Sequence, residues 1–72
     1  MALVFAPIGS EVIITQLKVK DNVSKYLRSL GIIAGTKMKI DNQTNNGTII
    51  KVKNTRYALD KNISRRIVVE NI

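Results

Sequence analysis

The stretch LRSLGIIAGTKMKI, Leu27 to Ile40, reads as a helix that stops at one glycine, turns at a second and enters a strand. Val23, Tyr26, Leu27 and Leu30 lie at helical spacing and give one apolar side to a two-turn helix. Asp21 or Asn22 is placed to cap its start. Gly31 stands where a left-handed C′ residue is needed, and Ile32 follows as the apolar C″ contact. After Gly35-Thr36, the run Lys37-Met38-Lys39-Ile40 alternates polar and apolar, the period of a half-buried strand.

Outward from this corner the chain is a series of short strands. Glu11–Leu17 is apolar on both faces around Ile13 and Ile14 and is expected to be central or covered. The turn formers Gln43–Gly47 include Asn46-Gly47, a hairpin signal between Met38-Lys39-Ile40 and the alternating run from Thr48 to Lys53. Asn54-Thr55 reads as a tight turn, Arg56–Leu59 as a short strand and Ile67–Val69 as the last one. Asp60 can cap a single helical turn through Ser64. The pattern predicts a mainly β fold, an SH3-like small five-stranded barrel with one short helix between strands 1 and 2, because closure removes exposed edges. Met38, Ile40, Ile50, Val52, Leu27, Leu30, Leu59, Ile67 and Val69 are the expected core.

The length allows a single domain spanning residues 1–72. The chain has no cysteine and no histidine. Disulfides and thiolate metal sites are therefore excluded, and the commonest general base and commonest imidazole ligand are absent. No run approaches the roughly 18 apolar residues of a membrane span, and the apolar start Met1–Ile8 lacks the basic region of a signal peptide, so a cytoplasmic protein is expected. Gly31–Lys37 falls one residue short of a phosphate-binding loop and reverses its Lys and Ser/Thr order. The run from Asp41 lacks the glycine and the bidentate glutamate of a calcium loop. The five acids, Glu11, Asp21, Asp41, Asp60 and Glu70, are scattered, so no catalytic pair, metal set or cofactor site is expected, and the chain does not read as an enzyme.

The formal net charge is +7, from 12 basic and 5 acidic side chains, which favours anionic partners. Burying Met38 and Ile40 with Ile50 and Val52 pairs Ile40 with Ile50 and Met38 with Val52, and so sets Lys39 opposite Lys51 and Lys37 opposite Lys53. Like charges so placed are destabilising. Two readings stand: a solvated face, or a docking surface for an acidic partner, with Lys25 and Arg28 on the helix as further candidates. Of the aromatics, Tyr26 and Tyr57 are expected in the core, which leaves little to stack nucleic-acid bases.

The order L-x-x-L-G-I-x-x-G-T, carried by Leu27, Leu30, Gly31 and Gly35, followed by an alternating strand and later by Tyr57-Ala58-Leu59 and Ile67-Val68-Val69, resembles the FeoA family. Ala34 stands where that family often has proline. The resemblance implies a small cytosolic accessory protein of ferrous iron transport, loosely associated with transition metal ion binding at the family level. It also implies protein–protein contact with the cytosolic portion of the membrane transporter FeoB. A small-barrel nucleic-acid binder using its basic surface is the alternative. Because soft and imidazole ligands are missing, direct iron binding would need exposed carboxylates or a partner.

Overall fold

A computed structural model describes residues 1–72. Its elements are β1 (Glu11–Leu17), α1 (Asp21–Ser29), β2 (Lys37–Thr44), β3 (Gly47–Val52), β4 (Thr55–Asp60), a one-turn helix α2 (Lys61–Ser64) and β5 (Ile67–Asn71). A 3-10 turn, Leu3–Phe5, precedes them. The strands form one antiparallel sheet in the order β4-β3-β2-β1-β5. Thirteen buried apolar side chains make a single core inside its curl.

The helix-to-strand corner forms as its residues dictate. Gly31 has φ +82, the left-handed conformation that a C′ residue needs. The amide of Ile32 donates to Leu27 O at 2.9 Å and that of Gly31 to Arg28 O at 3.0 Å, the bond pair of a Schellman stop. Leu27 and Ile32, which meet across this stop, are both fully buried. The Thr36 hydroxyl donates to Gly31 O at 2.8 Å and accepts the Ile33 amide at 3.2 Å, closing the loop between the two glycines. Gly35 then donates to Ile14 O at 2.7 Å, and Ile14 donates to Thr36 O at 3.0 Å, so the corner is docked on β1.

At the start of α1 the residues do not behave as expected. Lys20 is the N-cap and makes no side-chain cap bond. Asp21 lies inside the first turn, where its charge still favours the positive end of the helix dipole. Tyr26 is 59% exposed, not core. A nine-residue helix buries only a narrow stripe, and here it is centred on Leu27, with Val23 and Leu30 half-buried beside it. Leu30 thus packs on the core from its rim instead of lying within it. Tyr57, also expected in the core, is half-buried and packs against it from outside, while the other expected core residues are buried and Leu3, Ala6, Val12, Ile14 and Ile32 join them.

The central hairpin has the expected register at Lys39↔Lys51 and Ile40↔Ile50. Asp41 is then extruded by a β-bulge, and pairing resumes at Asn42↔Ile49. The reversal is centred on Asn45-Asn46 instead of Asn46-Gly47. The Thr44 hydroxyl accepts the amides of Asn46 and Gly47, and Gly47 opens β3. At its other end β3 stops at Val52. The turn is Lys53-Asn54, one residue earlier than read from the sequence, and Lys53 takes φ +56. Lys37 consequently faces Ile13 of β1 in the ladder, and the Lys37–Lys53 pair does not form.

The sheet is not closed by hydrogen bonds, since β4 and β5 are its two edges. The free side of β5 is occupied instead by the first residues of the chain. Met1 and Val69 exchange backbone bonds of 2.7 and 2.9 Å, and Ala2 bridges Val68. The Gln43 side chain holds this segment, donating to Leu3 O at 3.0 Å and Ala6 O at 2.9 Å while accepting from the buried Thr48 hydroxyl at 2.6 Å. Between the edges, α2 is capped by Asp60 Oδ1, which accepts the Ile63 amide at 2.8 Å.

Candidate functional site: the four-lysine trough

Directly paired residues share a face, and one outward row crosses four strands: Glu11 on β1, Lys39 on β2, Lys51 on β3 and Arg56 on β4. The bulge decides what happens at its end. Extruded from the ladder, Asp41 forms an ion pair with Arg56. Lys39 and Lys51 are left side by side without an ion-pair partner.

Lys37 lies two residues along β2 from Lys39 and therefore on the same outward face. The left-handed turn at Lys53 brings the fourth lysine to the same place by another route. Lys37, Lys39, Lys51 and Lys53 line one open trough of about 300 Å³, together with Glu11, Met38 and Ile72. Four ammonium groups against the one side-chain carboxylate give its side chains a formal charge of +3. Lys37 and Lys53 also border a neighbouring hollow lined by Leu30, Gly31, Thr36 and Tyr57, which extends the basic surface to the helix corner. Lys25 and Arg28 do not line either hollow; they stand on the exposed side of α1. Among the motif residues, Gly31 and Gly35 shape the corner, Leu27 and Leu59 are core, and Ala58 lies exposed on β4. Glu11 and Arg56 were not among the sequence candidates. Their places in the row depend on which strands neighbour β2 and β3, which periodicity within a strand does not reveal.

Chemically the trough can attract and hold anionic groups at its surface. It contains no aromatic side chain for stacking. No three carboxylates of the chain come together as a metal set. No helix is long and apolar enough to cross a membrane.

The comparisons with known proteins agree with this architecture. A candidate Fe(2+) transport protein A of Methanocaldococcus jannaschii is 32% identical over 69 residues, covering 96% of this chain and 84% of its own. A crystal structure of an iron uptake regulatory protein, FeoA, superposes with a TM-score of 0.89 at 23% identity, covering 100% of this chain and 97% of its own. The FeoA of Stenotrophomonas maltophilia, solved in complex with zinc, is described as a prokaryotic SH3 domain protein and a proposed activating factor for ferrous iron transport. It superposes with a TM-score of 0.81 at 22% identity, over 97% of this chain and 89% of its own. The FeoA domain model matches residues 1–71, and the chain belongs to the FeoA family.

Proposed function

We propose that this protein is a cytoplasmic, non-catalytic accessory factor of ferrous iron uptake, and that it acts by docking on the cytosolic portion of the FeoB transporter through the four-lysine trough. The convergence of Lys37, Lys39, Lys51 and Lys53 on one hollow carries the reading. Adjacent Lys39 and Lys51 cost roughly 0.2–1 kcal/mol in cross-strand repulsion and bring no folding benefit of their own. An acidic partner face turns that cost into attraction, and exposed charges of this kind mainly set the rate and specificity of encounter. Membership of the FeoA family and the names of its relatives support iron transport as the setting.

The test is a side-by-side titration at physiological salt. The FeoB cytosolic domain is compared with short single- and double-stranded DNA and RNA, using wild type and a Lys39→Glu/Lys51→Glu variant. The variant keeps a like-charge pair across β2 and β3, now acidic and beside Glu11, so its thermal melt serves only to confirm that it is folded, and it should bind the protein domain more weakly. Saturable micromolar binding to nucleic acid with none to the domain would replace this reading by the nucleic-acid one. Equal binding by the variant would show that the lysine face is solvated and move the contact to the helix corner from Lys25 to Ile33.

A further inference from the structure

A second hollow lies on another part of the surface. It is built by the linker Lys18–Lys20 between β1 and α1, by Val23 in the first turns of α1, and by α2 with the residues after it. Its floor is aliphatic: Val19, Val23 and Ile63 are half-buried and pack on the core beneath. Its rim is cationic: Lys18, Lys20 and Arg66 are all exposed, and no carboxylate lines the hollow. This differs from the trough, which contains the carboxylate of Glu11 and takes its apolar lining from Met38 and Ile72 alone.

The linker also offers backbone. It runs extended, with Lys20 at φ −68 and ψ 160. Lys18 is tied by its amide to Arg66 O at 2.7 Å, whereas the amide and carbonyl of Val19 have no partner in the chain. An extended segment with free peptide groups is where an added strand can pair.

We propose that this groove binds an acidic peptide segment carrying one or two aliphatic anchors. The anchors fill the Val19–Val23–Ile63 floor, carboxylates on either side meet Lys18, Lys20 and Arg66, and the peptide backbone pairs with Val19. The charge complementarity selects the acidic class. The free backbone of Val19 selects a peptide over an acyl chain, which could cover the floor but would leave those groups unpaired. The groove has no aromatic lining, so a polyproline ligand does not fit it. The proposal is independent of the trough and of the transporter contact assigned there.

The test uses the full ¹⁵N-labelled chain and a capped peptide of sequence DELLED, followed by amide chemical-shift titration. Saturable shifts should be confined to Val19, Val23, Ile63 and their neighbours. A Lys18→Glu/Arg66→Glu variant, whose changed side chains are exposed and leave the fold intact, should bind about tenfold more weakly or worse. Control peptides DESSED and KRLLRK should not saturate. The Lys39→Glu/Lys51→Glu variant should bind DELLED as wild type does, which separates this site from the trough. Absence of saturable shifts, shifts centred on the trough, or unchanged affinity in the rim variant would overturn the proposal. So would phosphatidylglycerol vesicles that perturb these amides when DELLED does not.

Discussion

Two glycines with positive φ allow a direct test of what holds the hairpins together. Gly31 has φ +82 and open space where a Cβ would stand. Gly47 has φ +154, and a Cβ there would lie 2.0 Å from Leu59 O and 2.9 Å from the Asp60 Cα on β4. Gly31→Ala should therefore cost only the left-handed penalty of an L-residue, about 1–2 kcal/mol. Gly47→Ala adds a collision with backbone that cannot rotate away. To restore contact distance β4 must retreat by more than an ångström, breaking the pairs Gly47↔Asp60 and Thr48↔Leu59. Leu59 O also accepts from the buried Ser64 hydroxyl, so the start of α2 shifts as well. Backbone strain of about 1–3 kcal/mol and two or more lost hydrogen bonds at about 1 kcal/mol each give about 3–5 kcal/mol. A domain of this kind has about 5–15 kcal/mol in total. For a chain this short each kcal/mol moves the melting temperature by about 4–8 °C. Thermal unfolding followed by circular dichroism should thus place Gly31→Ala about 4–16 °C below wild type and Gly47→Ala at least about 12 °C below it. If Gly47→Ala melts as high as Gly31→Ala, the close packing of β3 on β4 at this point is wrong.

Three further outcomes follow from the packing and composition. Leu27→Ala should destabilise by about 2–5 kcal/mol in urea unfolding, and Leu30→Ala by less, because Leu27 is fully buried and Leu30 only partly so; the reverse order would contradict the assigned helix face. Gln43→Leu removes both bonds that hold the first turn and strands the Thr48 hydroxyl, for a loss of about 1–3 kcal/mol, and hydrogen exchange should show Val69 and the opening residues freed together. Anaerobic calorimetry with ferrous iron should show no site tighter than the order of millimolar, since His and Cys are absent and the carboxylates are dispersed; a micromolar site would refute this.

What could be read without the structure was whatever depends on neighbours in sequence. The stop at Gly31, the Asp60 cap on α2 and the Lys39↔Lys51 and Ile40↔Ile50 pairs rest on local φ, local hydrogen bonds and a period of two. The family resemblance rests on those same local motifs. The lysine face was legible as alternation, although two of its details were not. Lys53 reaches the trough through a turn one residue earlier than expected, and Asp41 leaves the ladder through a bulge that only the fit of β2 to β3 creates.

Other features were settled by residues far apart in the chain. Tyr26 has the right spacing for the core, but the helix is too short and its seat on the sheet too narrow to cover that side chain. Leu3 and Ala6 are core because Gln43 and β5 capture the opening segment, across separations of up to 68 residues that no local pattern records. Glu11 and Arg56 join the lysine row because β1 and β4 flank the hairpin. The aliphatic groove exists only where a linker, one helix and the turn after β4 meet. Local sequence specifies each element's conformation and its two faces. Which faces meet, and which charges are left facing outward together, is decided by burial summed over the whole chain.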